Sequence, residues 1–282
     1  MKVLVVGAAG QLGEAMVTRL ALDHEVIPFT RADVDLTNHA AVMDAVRHHR
    51  PGAIVNCASY NDVDGAEGNH RLAFAVNAFV PATLARAAEA VDAVFIHFST
   101  DFVFSGAASV PYVETDNAEP QSVYAQSKLV GEWMAADWRR HFVVRVESLF
   151  GGTQERSSID RIIAALNKGA QAPVFSDRVA SPSYIADVAG AAAHLLTGSA
   201  AFGLYHCVNS GHATWLELGQ EIARFLDRPE TLLKPLSVDD VKMRAPRPRF
   251  AALSNQKLAD AGYPMPHWQD AIRRHLRERV PS

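Results

Sequence analysis

Met1-Lys-Val-Leu-Val-Val-Gly7-Ala-Ala-Gly10-Gln-Leu-Gly13 decides the fold. A short apolar run, Lys2–Val6, leads straight into glycines spaced G-x-x-G-x-x-G, and an amphipathic stretch, Gln11–Leu22, opens among them. Glycine at these places permits a tight turn, close backbone approach to a diphosphate, and packing of helix on strand. The helix start offers free N–H groups and a partial positive charge to phosphates. Glycine-containing turns occur at many strand–helix junctions. This one draws its meaning from standing at the head of a strand–helix–strand unit.

The rhythm continues outward. Further strands are predicted at Glu25–Phe29, Ala53–Asn56, Val94–Phe98 and Phe142–Val146, dense in Val, Ile and Phe. Such runs, with little polar alternation, mean burial on both faces, as in a parallel sheet. Helices are predicted between them, at Asn38–Arg50, Arg71–Ala90 and Ser122–Arg139. Beyond residue 150 prolines multiply, with helices near Ile159–Asn167, Ile185–Leu196, Trp215–Asp227 and His267–Arg279. The fold class is therefore α/β: a Rossmann-type doubly wound parallel sheet with a smaller α+β C-terminal substrate lobe. We expect a dinucleotide-binding domain over residues 1–150 and a mostly substrate-binding lobe over 151–282, with part of 183–206 returning to the first.

Composition narrows the partners. With 49% apolar and 21% charged residues the chain is globular, not disordered. The charge balance, 27 − 31 = −4, speaks against nucleic acid or an anionic membrane as partner. Two cysteines, Cys57 and Cys207, make no disulfide framework. The first residues do not form a signal peptide, and the uncharged stretch between Asp187 and Glu217 is too interrupted to span a bilayer. A cytoplasmic protein is expected. The histidines show no metal-ligand spacing, so no metal is expected.

Two features bear on chemistry. The end of the second strand reads Pro28-Phe-Thr-Arg31, without the acid that usually holds the ribose hydroxyl of NAD. Arg31 suits a 2′-phosphate, which favours NADPH over NADH, and Asp35 and Leu36 lie where they can flank the adenine. Tyr124 and Lys128 stand at i and i+4, on one helix face. A nearby ammonium lowers a phenol's pKa, so such a Tyr can protonate a ketone oxygen near neutral pH. Thr100 sits at a strand's C-terminal end, where open α/β sheets place ligands, and can orient the carbonyl.

These stretches, with VVGAAGQLG at 5–13, NCASYNDVDGAE at 56–67, HFSTDFVFSG at 97–106 and PYVETDNAEPQSVYAQSKLVGE at 111–132, resemble the extended short-chain dehydrogenase/reductase superfamily. Within it, the chain is most similar to the dTDP-4-dehydrorhamnose reductase family. The resemblance implies a catalytic triad of Thr100, Tyr124 and Lys128. It implies dinucleotide contacts from Gly7, Gly10, Gln11, Leu12, Gly13, Cys57, Ala58 and Ser59, and a mainly structural role for Asn77. It places Asn61, Val63, Asp101, Phe102, Ser148, Arg178 and Arg249 along the substrate. The implied activity is NAD(P)H-dependent reduction of a 4-keto nucleotide sugar. The alternatives are reduction of another carbonyl, or a non-catalytic dinucleotide-binding regulatory subunit.

The cofactor and chemistry motifs are intact, whereas the substrate wall departs from the family. R-T-S-W-V-Y-G is here Arg145-Val-Glu-Ser-Leu-Phe-Gly151, so Ser148 replaces a pocket tryptophan. T-A-V-D becomes Asn61-Asp-Val-Asp64, D-Q-x-G-x-P-T becomes Asp177-Arg-Val-Ala-Ser-Pro-Ser183, and R-P-x-N-S becomes Arg247-Pro-Arg-Phe250-Ala251. Arg178 and Arg249 could bind a diphosphate bidentately. The basic segment 242–249 is either a solvated loop or an anion clamp. Trp133 and Trp138 belong either to a homodimer face or to the core.

Overall fold

The computed structural model of the protein describes residues 1–279. Its first half runs β1 (Lys2–Val6), α1 (Gln11–Leu20), β2 (Glu25–Phe29), α2 (His39–His49), β3 (Ala53–Asn56), α3 (Val63–Ala66), α4 (His70–Phe74), α5 (Val80–Ala90), β4 (Val94–Thr100), α6 (Val123–Ala136) and β5 (His141–Val146). The second half adds β6 (Leu149–Phe150), α7 (Ser158–Asn167), β7 (Ala172–Phe175), β8 (Val179–Ala180), β9 (Ser183–Tyr184), α8 (Ile185–Thr197), β10 (Gly203–His206), β11 (Ala213–Thr214), α9 (Trp215–Phe225), β12 (Leu233–Leu236), α10 (Gln256–Asp260) and α11 (Trp268–Arg277).

Six strands form one sheet in the order β10-β5-β4-β3-β1-β2, parallel at every pairing. Helices cover both faces, which is why β1, β3 and β4 are apolar almost without interruption. Val3 and Val5 pack with α1 and α8; Leu4 and Val6 pack with α2 and α5. Each such side chain contributes about 1.5–3 kcal/mol by leaving water. The strand order reverses between β1 and β3, and the crevice beyond their C-terminal ends is where this architecture takes ligands.

Two expectations need correction. β2 is not buried on both faces: Glu25 and Pro28 are exposed, because this strand is the sheet's edge. Proline, with no N–H to give a ladder, is tolerated there. The single helix expected over Arg71–Ala90 is broken by a π-helical turn at Ala75–Phe79. Asn77 lies inside that turn, and the wider coil frees its amide for long-range bonds.

The second half builds its own core from α7, α9 and α11, with Phe150, Trp215 and Trp268 inside. Parallel β7–β12 and antiparallel β8–β11 pairs line it. Capping boxes, Ser157 with Asp160 and Thr214 with Glu217, fix where α7 and α9 begin. The chain then crosses back: α8 packs on α1, and β10 extends the main sheet beside β5. No helix among the described residues is long and apolar enough to cross a membrane.

Candidate active site

The glycine turn closes on the end of β3. Gly7 has φ +75°, and a Cβ there would lie 2.7 Å from the Ala58 nitrogen. A Cβ on Gly13 would lie 2.1 Å from the Gly7 carbonyl oxygen, so side chains are shut out. Gly10 caps α1 with no side-chain hydrogen bond, which leaves the first-turn N–H groups bare. Such a cradle fits the diphosphate of a dinucleotide. The Leu12 side chain packs into the core while its backbone stays in the turn, and the Gln11 amide donates to the Gly151 carbonyl at 2.9 Å. Gln154 reaches back to the Ala9 carbonyl at 3.0 Å, so the loop after β6 leans over the turn.

Cys57, Ala58 and Ser59 follow β3 along the same crevice. Burial pushes the Cys57 thiol up, so it is no nucleophile. Asn77 holds this loop: it accepts from Tyr60 N (2.8 Å) and Ser59 Oγ (3.0 Å). It donates to Tyr60 O (3.1 Å) and to Ser127 Oγ (3.0 Å) on α6. At the tip of β2, Arg31 is exposed. Asp33, the nearest acid, turns its carboxylate back onto Thr30 N and Oγ1. Asp35 does the same with Thr37, while Leu36 packs on the core.

α6 starts where it does because Ser122 accepts from Ala125 N and because Glu67, from the α3–α4 loop, accepts from Val123 N at 2.8 Å. That anchoring sets Tyr124 and Lys128 against the end of β4. Thr100 donates to Asp101 Oδ1 at 2.9 Å and accepts from Phe102 N at 3.2 Å. The Tyr124 ring meets Phe102 edge-on at 5.8 Å. Lys128 Nζ donates to the Phe98 carbonyl at 2.6 Å, and burial pulls its pKa down to about 8 against the opposing pull of Glu132.

The expected depression of the Tyr124 pKa is absent. Burial and then the Asp101 carboxyl push the phenol up, and only the neighbouring Thr100 hydroxyl works the other way. Lys128 spends its charge on a carbonyl and is itself desolvated, so it does not hold the phenol down.

The substrate side divides. Asp101, Phe102 and Arg178 gather beside Thr100 and Tyr124. Arg178 lies 5.6 Å from the Phe102 ring and donates to the Pro248 carbonyl at 3.2 Å. Asn61 is exposed, Val63 is half-buried at the start of α3, and Ser148 adopts φ 45°. Arg249 is exposed and paired with Asp177 at 3.0 Å and with Asp239, so a diphosphate there would compete with two carboxylates. Within 242–249, Arg247 is likewise held by Asp64 at 2.9 Å, while Lys242 and Arg244 are exposed. Trp138 is core, its Nε1 donating to the Ala93 carbonyl, whereas Trp133 is 60% exposed.

Three charged residues escaped the sequence reading as site elements. Glu147 is 1% exposed; it accepts from Ser181 N at 2.6 Å through one oxygen and leaves the other unpartnered. Arg145 and Glu132 form a buried bidentate pair at 2.8 and 2.7 Å, onto which Ser99 donates at 2.6 Å. Their signal was there: a charge inside an apolar strand such as Phe142-Val-Val-Arg145-Val needs a partner.

The family model for the RmlD substrate binding domain matches residues 1–280. The chain is 35% identical over 280 residues to a dTDP-4-dehydrorhamnose reductase of Mycobacterium tuberculosis, covering 96% of this chain and 91% of the relative. It is 34% identical over 277 residues to a probable dTDP-4,6-dihydroxy-2-methyloxan-3-one 4-ketoreductase of Streptomyces antibioticus, covering 97% and 94%. Among solved structures, dTDP-4-dehydrorhamnose reductase from Bacillus anthracis in complex with NADP superposes with a TM-score of 0.93 at 29% identity, covering 98% of this chain and 99% of that one. Fold, glycine turn and family match agree, and the chain belongs to the RmlD family, that of the dTDP-4-dehydrorhamnose reductases.

Proposed function

We propose that this protein is an NAD(P)H-dependent reductase of a 4-keto nucleotide sugar. The observation that carries the reading is the convergence of Thr100, Tyr124 and Lys128 at the C-terminal end of β4, beside a glycine turn shaped for a diphosphate. When bound, the dinucleotide supplies the hydride that reduces the carbonyl carbon. The protein supplies the rest. Tyr124 gives the carbonyl oxygen its proton, Thr100 orients that oxygen, and Lys128 holds the cofactor ribose. The dinucleotide would lie on residues 1–150, with the sugar between that part and residues 151–282.

The nucleotide end of the substrate has a natural place. A cavity of about 230 Å³ is lined by Ile162, Val174, Phe175 and Trp215 together with Arg161 and Arg178. Apolar walls with two guanidinium groups suit a base and its diphosphate. The exposed Leu72, Phe79 and Trp133 support a homodimer, and the net charge of −4 supports the absence of nucleic acid. Purified protein should oxidise NADPH when given dTDP-4-dehydrorhamnose; no turnover with any 4-keto nucleotide sugar would favour the non-catalytic reading.

NADPH is the preferred cofactor in this reading, because Arg31 is free to meet a 2′-phosphate and Asp33 is turned away. Arg31→Ala should raise KM for NADPH about 10-fold, the loss of one charge-assisted bond, and leave KM for NADH unchanged. Equal effects on both cofactors would remove Arg31 from this role.

A further inference from the structure

Tyr124 must be reloaded after each turnover, and the carboxyls behind it suggest how. Thr100 directs its hydroxyl hydrogen at Asp101 Oδ1, at 2.9 Å. Asp101 is 2% exposed, and its other oxygen, Oδ2, has no hydrogen-bond partner. Glu147, at the end of β5, likewise buries an unpartnered Oε1. Two orphaned buried carboxyl oxygens are costly unless a proton is shared or a ligand group satisfies them.

We propose that Asp101, backed by Glu147 and Arg178, supplies the proton that reloads Tyr124, passing it through the hydroxyl of Thr100. The inference rests on the reductase reading. While Asp101 is ionised, the Thr100 hydroxyl donates to it. Once Asp101 is protonated it donates to Thr100 Oγ1, which frees the Thr100 hydrogen first for the carbonyl oxygen and then, after proton transfer, for the Tyr124 phenolate. The proton count then closes. Tyr124 gives its proton to the substrate oxygen, and the phenolate takes the Thr100 proton. Thr100 takes the Asp101 proton. The carboxylate left on Asp101 faces the Arg178 guanidinium and regains a proton from solvent as product leaves.

The charges around the relay fit that role. Burial is the main cause that raises Asp101 to about 7, with Arg178 opposing it. Burial, and then the Asp101 charge, also pushes Glu147 well up, so the two carboxyls are not ionised together. Arg178 answers to both carboxyls and to Arg247, which Asp64 holds. From α6 come Tyr124 and Lys128, the latter titrating near 8 and so producing a separate, higher limb.

The test is the pH profile of kcat and kcat/KM for wild type, Asp101→Asn and Glu147→Gln, with cofactor binding followed by fluorescence. Wild type should lose activity in two steps, near pH 7 and near pH 8. Asp101→Asn should lose the lower step and about 100-fold in kcat, with unchanged cofactor affinity. Glu147→Gln keeps the shape and removes the carboxyl coupled to Asp101, so it should move the lower step to more acid pH. Three outcomes overturn the relay in an active enzyme: an unmoved lower step in Asp101→Asn, a change confined to KM, or an unmoved step in Glu147→Gln. A wild type inactive on every 4-keto nucleotide sugar would instead sink the reductase reading beneath it.

Discussion

Tyr124→Phe is expected to lower kcat by about 100- to 10,000-fold, the usual worth of a positioned general acid. Phenylalanine keeps the ring and its edge-on contact with Phe102, so packing and cofactor affinity should stay near wild type. Only the proton is lost. The raised phenol sharpens the expectation: Tyr124 stays protonated throughout the working pH range, so no limb of the profile belongs to it. A raised pKa makes a weaker acid, but the alkoxide formed by hydride addition is more basic still, so transfer runs downhill. Stopped-flow turnover with NADPH and dTDP-4-dehydrorhamnose measures the loss, and cofactor fluorescence checks binding. Full activity in the variant would end the proposed chemistry.

Much of this site could be read from the chain because its parts are local. The glycine turn needs only residues 7–13, and the Tyr124–Lys128 pair needs one helical turn. β1, β3 and β4 announced themselves because burial on both faces leaves no polar alternation. What stayed hidden depends on distant partners. Arg247 looked free until Asp64, 183 residues away, closed on it. Arg249 looked unpaired until Asp177, 72 residues away, closed on it. The start of α6 rests on Glu67, 56 residues earlier, and Asn77, inside the π-turn, binds Tyr60 and Ser127 together. Local pattern finds elements and motifs; it does not say which charges have already been neutralised.

Arg145→Met is expected to cost about 3–5 kcal/mol, because it strands the Glu132 carboxylate in the core. The two side chains are 4% and 7% exposed, and both guanidinium contacts are short and bidentate. Arg145 also lies 4.9 Å from the Phe104 ring, and the buried His206 beside it, drawn down to about 3, cannot take over as a cation. For a chain of this length the loss lowers Tm by roughly 10 °C. Replacing both partners, Arg145→Met with Glu132→Leu, should recover part of it, since two apolar groups leave no unpaired charge. Urea unfolding of the two singles and the double isolates the coupling. The pair also reaches the chemistry. Glu132 holds up the Lys128 pKa against burial, so Glu132→Gln should move that titration below about 8. The alkaline edge of activity should then fall with it, whatever the stability change. If Glu132→Gln shifts Tm but leaves that edge in place, the pair is structural alone and Lys128 draws its charge from elsewhere.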